Sequence, residues 1–398
     1  MPVVEEIKTV RTARLGAAFL GILLIAVNLR VAFVSVGPVL SDIGAGFGWS
    51  GSTAGLLTGL PLICFAVFSP VAPALSRRLG LDRALWAALL LLAMGIMGRS
   101  VPVEAAVWFG TVLIGTGIAF LNVLLPSLVK RDLPSRVSQV TGLYTAVQGA
   151  LSAAGAAVVV PIAHATSYSW RLALGVWAGL ALIALAVLLP RLRSQTPITA
   201  EAEGRAADFR SPWRSPLGWQ ITIFMGLQSL AFFVMITWLP GIEKDQGIPA
   251  VTSGLHTSVF LMVGVLASLT AGAILHHAAD QRPVVLASSI LAFCAYAGLA
   301  VAPQLSLLWV VVGAAGCGSL IVIALSLFSL RTENHQQAAS LSGMAQSVGY
   351  AIAAAGPVAF GALRDISGSW TLPLAATAGL MLVLCVTAVL SGRNRLIG

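Results

Sequence analysis

The chain has 398 residues, 58% of them hydrophobic and only 9% charged, with a net charge of +9. A soluble domain carries about 25% charge, so the composition excludes one and defines an all-α integral membrane protein in contact with a lipid bilayer. The positive balance does not indicate nucleic acid, because the basic residues sit in short loops between apolar runs, where they set membrane orientation.

Twelve apolar runs are each long enough to span a bilayer: 15–41, 52–75, 84–100, 104–129, 137–163, 169–190, 215–239, 251–275, 283–302, 305–330, 338–363 and 370–391. The first holds Arg30 just past its centre. By helix rise Arg30 lies about 24 Å from Arg14 and about 18 Å from Asp42. An arginine reaches only ~6–7 Å, and holding a guanidinium at that depth costs about 3 kcal/mol on insertion scales. All 14 acidic residues fall in predicted loops or at helix ends. The sequence therefore offers no carboxylate at the depth of Arg30, and an anionic substrate is the simplest counter-ion. The competing reading is an arginine satisfied by helix-end carbonyls, Asn or Gln side chains and trapped water. Asn28 lies about 200° around the helix from Arg30 and is expected to face a neighbouring helix.

The fourth run places Asn122 before Pro126, which frees a backbone carbonyl. The fifth carries Tyr144 and Gln148 at i and i+4. The eleventh carries Gln346 and Tyr350 at the same spacing in reverse order. Amide and phenol groups of this kind donate hydrogen bonds to an anion, or tie helices together. Gln228 and Trp238 lie on the seventh run, Trp238 near its outer end as an interfacial anchor. His256, on the eighth, is the one histidine well within a span; it reads as a proton-coupling group or as a satisfied helix contact. Cys64, Cys294, Cys317 and Cys385 lack metal-ligand spacing and read as small core residues. No metal or cofactor is expected, no nucleotide-binding loop occurs, and no nucleophile or carboxylate pair suggests an enzyme.

With the N-terminus inside, the inner segments hold 18 of the 23 basic residues and the outer side four: Arg99, Arg171, Lys244 and Arg364. Both termini are then cytoplasmic, and no cleavable signal peptide is expected. Residues 191–214 read as a cytoplasmic linker between six-helix halves, 1–190 and 215–398. The halves show a weak internal repeat. Gly115-Thr116-Gly117 resembles Gly316-Cys317-Gly318, and Gly142 and Gly155 match Gly343 and Gly356, all at an offset of 201. Ala32-Phe33 matches Ala231-Phe232, and Arg83 matches Arg282, at 199; at that offset Arg30 falls on Ser229.

Two six-helix halves, a basic loop after the second helix and a central linker resemble the major facilitator superfamily over the whole chain. Asn28-Leu29-Arg30 followed by Ser35-Val36-Gly37-Pro38 is similar to the branch holding cyanate permeases and nitroimidazole exporters. Residues 72–83 (APALSRRLGLDR) look like that branch's form of the second-loop signature, with Ala72 and Ser76 where Gly and Asp are usual. The resemblance implies a pseudo-symmetric fold whose helices 1, 4, 7 and 10 line a central cavity, a bacterial-type cytoplasmic membrane and a monomer. It implies a secondary transporter of a small anion or weak acid (cyanate-like, nitrate-like or nitro-aromatic) working by alternating access. Candidate substrate contacts are Arg30, Asn122, Tyr144, Gln148, Gln228, His256, Gln346 and Tyr350, with protons a candidate coupling ion. A second reading, a proton-coupled drug or metabolite exporter of the same fold, is weakened because the sequence shows no membrane-embedded carboxylate.

Overall fold

The computed structural model describes residues 16, 18–49, 51–165, 168–192 and 210–397. The basic N-terminal lead and residues 193–209 of the expected linker lie outside them. Among the described residues every regular element is a helix. Apolar runs in hydrocarbon have no water to satisfy N–H and C=O groups, so each must close its own hydrogen bonds. Eleven of these helices are long and apolar enough to cross a membrane, and one bent pair makes up to twelve. Exposed side chains within the spans, among them Leu182, Ile183, Leu255, Met262, Leu266 and Val386, are large and apolar, as a lipid-facing surface requires.

The first run is not one helix. It consists of α1 (18–28), α2 (Val31–Val34), a 3-10 turn at Gly37–Val39, and α3 (Leu40–Phe47), which continues beyond the apolar run. The second run is also broken. α4 (Gly51–Phe68) and α5 (Val71–Leu79) meet at Ser69-Pro70, and the axis bends by 59° there. Proline lacks the N–H that would continue the ladder. α6 (Leu81–Arg99), α7 (Glu104–Asp132) and α8 (Val137–Ala165) follow. The sixth run turns at Val176-Trp177 between α9 (Trp170–Gly175) and α10 (Ala178–Leu188). Beyond it come α11 (Pro216–Asp245), α12 (Ala250–His277), α13 (Arg282–Val301), α14 (Ser306–Leu330), α15 (His335–Ser367) and α16 (Thr371–Ser391).

The chain forms two compact units. One comprises Met1–Arg136, Val147–Phe209 and Asn334–Ala339; the other comprises Val137–Ala146, Arg210–Glu333 and Ser340–Gly398. The start of α8 thus belongs to the second unit and its remainder to the first, which separates Tyr144 from Gln148.

Within each unit the repeat can be read as contacts. In the first, a Cβ on Gly155 of α8 would lie 2.6 Å from Val31 and 3.0 Å from Ser35. In the second, a Cβ on Gly356 of α15 would lie 2.6 Å from Leu230 and 3.2 Å from Val234. Val31 and Ser35 map onto Leu230 and Val234 at the offset of 199. Glycine at both places leaves room for the side chains of the facing helix, which a methyl group would crowd. One sequence match is corrected. Gly117 packs on Ala88 and Leu92, and Gly316 packs on Ser288 and Ala292. Contact therefore pairs Gly117 with Gly316, and Gly115, which packs on Pro61 and Cys64 of the second span, with Gly318, which packs on Gly264 of the eighth.

Arg331, one residue past α14, was counted with the loop arginines but is buried. Its Nε donates to the Ser391 carbonyl at 3.1 Å and its Nη2 to the Gly392 carbonyl at 3.0 Å, capping the C-terminal end of α16. Burial pushes its guanidinium down to about 10.

Candidate functional site

Arg30 sits where the first span breaks. It is half-buried, with φ −128° and ψ −33°, and its carbonyl accepts from the N–H groups of Phe33 and Val34 at 3.0 and 2.9 Å. Pro38 accounts for the later turn at Ser35–Val36, because it withholds the N–H that Val34 would otherwise bond. The turn at Leu29–Arg30 contains neither Gly nor Pro. Its neighbouring support is Arg99, at the C-terminal end of α6. The Val36 N–H turns to Phe33 O at 3.3 Å, and Arg99 Nη2 donates to Ala32 O at 2.8 Å. Arg99 is 1% exposed and its Nε is buried without a hydrogen-bond partner. Gly110 lets α7 close on it, since a Cβ there would lie 2.5 Å from the Arg99 nitrogen.

Three expectations for the first unit can be compared with this geometry. Asn28 faces a neighbouring helix, donating to Leu24 O at 2.8 Å and to Leu180 O of α10 at 3.3 Å. Asn122 is half-buried on α7, which runs unbroken through Pro126, and Gln148 is buried on α8. Arg30 is not without a partner in the fold, so its significance lies in its position at a helix break and not in an unanswered charge.

The second unit holds the remaining candidates and brings Tyr144 and Tyr350 within electrostatic reach of each other. Tyr144 is buried on α8. Gln228 spends its amide on its own helix, donating to Met225 Sδ at 3.2 Å and Ser229 Oγ at 2.7 Å. Gln346 donates to Ser342 Oγ at 2.8 Å, and Tyr350 is half-buried one turn further along α15. Trp238 is a helix tie: its Nε1 donates to Pro357 O at 2.9 Å, and its ring lies over Gly361. His256 turns to Glu243, with Nδ1 2.7 Å from Oε1.

Glu243 corrects the reading of the acidic residues. α11 continues through Pro240 to Asp245, and the Glu243 side chain is 0% exposed. The sequence did contain a signal: Met235, Leu239 and Ile242 keep helical spacing across the proline and are all buried. Arg99 carried no such signal, because a basic residue at the end of a span ordinarily reads as interfacial.

The second-loop segment supplies one further cluster. Arg131 grips Asp82 with two nitrogens at 2.6 and 2.9 Å and Asp132 with Nε at 2.7 Å; Arg191 also bonds Asp132. Asp82, six residues after Ser76, shares the acidic role in this network with Asp132. The forked geometry favours Arg, and the partial exposure of all four residues keeps each pair's net contribution near the surface range of about 0–1 kcal/mol.

A multi-pass helical chain with a duplicated six-span contact pattern and a first span broken at an arginine has the architecture of a membrane transporter. The chain belongs to the Major Facilitator Superfamily, whose family model matches residues 18–354. The chain is 39% identical over 375 residues to a 2-nitroimidazole transporter of Escherichia coli (strain K12), covering 94% of this chain and 95% of that protein. It is 40% identical over 379 residues to the uncharacterized transporter YycB of Bacillus subtilis (strain 168), covering 95% and 94%. The cyanate transport protein CynX of Escherichia coli (strain K12) is 27% identical over 368 residues, covering 91% and 94%. Among solved structures, the proton:xylose symporter XylE superposes with a TM-score of 0.77 at 14% identity, covering 97% of this chain and 98% of that one, a likeness of fold. The family is one of transporters, not enzymes.

Proposed function

We propose that the chain is a secondary transporter of a small anion or weak acid, working by alternating access of two six-helix halves, 1–190 and 215–398, with Arg30 as the anion-binding residue. The observation that carries this reading is the break of the first span at Arg30. A discontinuous helix at mid-span exposes backbone groups and a guanidinium together, which is how transporter sites are commonly built. The relatives named for 2-nitroimidazole and cyanate fit the same chemistry. Asn122, Tyr144, Gln148, Gln228, Gln346 and Tyr350 are the proposed polar contacts around the solute. The protein sits in a bacterial-type cytoplasmic membrane with both termini inside, as a monomer.

The test is a thermal-shift and binding series with cyanate, nitrate and 2-nitroimidazole on purified protein. A ligand at 100 times its Kd stabilises the folded state by about 2.7 kcal/mol. Arg30→Ala is expected to fold and to lose that shift. Arg30→Lys is expected to be impaired as well, because it keeps the charge and loses the planar fork. Well-folded Arg30→Ala that binds as tightly as the wild type defeats the reading. The second reading, a proton-coupled exporter of a drug or metabolite, gains one specific observation in Glu243.

A further inference from the structure

We propose that Glu243, His256 and Ser306 form a proton-binding site in the second unit; this rests on the reading above only in taking the chain to move a solute. Three helices converge to make it. α11 brings Glu243, α12 brings His256 and the first residue of α14 is Ser306. Glu243 Oε1 lies 2.7 Å from His256 Nδ1 and accepts a hydrogen bond from Ser306 Oγ. Glu243 Oε2 is buried without a hydrogen-bond partner. The carboxylate is wholly enclosed, while the imidazole keeps 14% of its surface exposed. The enclosed acid therefore meets the bulk through an imidazole, a side chain that can bind and release a proton.

An ionised carboxylate withdrawn from water is costly unless it is paired and hydrogen-bonded. The histidine supplies that pairing in either of two states. With neutral imidazole the cluster carries one negative charge; one added proton makes it neutral, either as imidazolium–carboxylate or as imidazole–carboxylic acid. That proton comes from the bulk, forms one N–H or O–H bond and leaves when the cluster returns to its anionic state. Nothing is oxidised or reduced.

On α11 itself Lys244 and Asp245 follow Glu243, and Asp245 is bonded by Arg364 of α15 and by Trp370 Nε1. Asp365 follows Arg364 on α15. α12 supplies no other titratable group near this end, since His276 and His277 lie at its opposite terminus. The remaining titratable groups of the helices packed on α11 (Cys294 and Tyr296 of α13, Cys317 of α14, His335 and Tyr350 of α15 and Cys385 of α16) lie several turns away along their helices, Tyr296 reaching α11 at Ala231. The bonds to Glu243 thus come from His256 and Ser306. A purely structural staple would hold the same three helix ends together, but its protonation would not be tied to solute movement.

The experiment uses full-length protein in liposomes, with cyanate and 2-nitroimidazole as probes. Two uptake modes are compared: counterflow, and accumulation driven by a pH gradient. Infrared spectra of the purified protein across pH follow carboxyl protonation. For Glu243→Gln the expected result is collapse of the ratio of gradient-driven accumulation to counterflow, together with loss of one titrating carboxyl C=O band. An unchanged ratio overturns the proposal. So does loss of both modes in proportion by a folded variant, which assigns the cluster to the solute site. If Glu243→Gln does not fold, His256→Gln leaves the carboxylate in place and must shift the pH at which the band titrates; an unshifted band overturns the proposal. If the wild type transports neither probe, the substrate assignment fails, and the infrared titration still decides the proton site.

Discussion

At repeat-equivalent positions the first unit carries Arg30 and the second carries Ser229, whose hydroxyl takes the amide of Gln228 from the same helix. Around these two residues the framework is duplicated. Ala32 and Ala231, 199 positions apart, each offer a carbonyl to the third span of their own unit. Arg99 Nη2 donates to the first and Tyr296 OH to the second. The helices differ nonetheless. The seventh span is one uninterrupted helix of 30 residues, whereas the first breaks at Arg30 and again after Val34. Duplication has preserved the contacts between helices while the charges near the outer halves of the spans have diverged: Arg30 and Arg99 beside the broken first span, the enclosed Glu243 at the end of the seventh. The solute is proposed to sit beside the first of these and the proton on the second.

The strongest way to break the comparison is to remove the contact both units share. Gly155→Ala places a methyl group 2.6 Å from Val31, and Gly356→Ala places one 2.6 Å from Leu230. Overpacking of this kind costs about 1–3 kcal/mol. The two variants are expected to lower the melting temperature by similar amounts and to reduce folded yield. A large loss in one and none in the other would show that the packing is not equivalent.

Arg99→Met sharpens the comparison. It strips Ala32 O of its donor at about 1–3 kcal/mol, partly offset by relief of a desolvated guanidinium. A net loss of stability smaller than that of the glycine variants is expected, measured as the melting temperature in detergent. Transport is expected to fall further than stability does, because Arg99 stands beside the break that positions Arg30. Normal transport in a folded Arg99→Met protein would separate the two arginines.

The class of fold was legible from the sequence because hydrocarbon leaves so few solutions for a polypeptide. The number of spans, their approximate ends and the repeat all follow from apolar run length and small-residue spacing. The breaks at Arg30 and Ser69-Pro70 were less legible. Pro70 marked one, but the turn at Leu29–Arg30 has no such mark, and Arg99, which bonds Ala32 O beside it from 67 residues away, is revealed by no local pattern. Glu243 was hidden differently. Pro240 suggested that the seventh helix ended, and a glutamate beyond a helix end belongs in water; tertiary packing of α12 and α14 carried it inside. Of the eight candidate contacts, His256 lies against Glu243, whose enclosure the apolar runs did not reveal.

Tyr296→Phe is the smallest of these changes and isolates the second side of the comparison. The ring is 1% exposed and phenylalanine keeps its volume, so only the hydrogen bond to Ala231 O is lost. Such bonds between membrane helices average about 0.6 kcal/mol. Ala231 lies in the interior of unbroken α11, where its carbonyl retains the ordinary acceptor role toward the residue four positions on. Ala32 lacks that fallback, since the Val36 N–H has turned to Phe33. Tyr296→Phe is therefore expected to cost clearly less than Arg99→Met and to leave gradient-driven transport close to that of the wild type. A melting temperature reduced as far as in Arg99→Met would mean that the seventh helix also depends on its third-span donor, and that helix continuity is not what separates the two units.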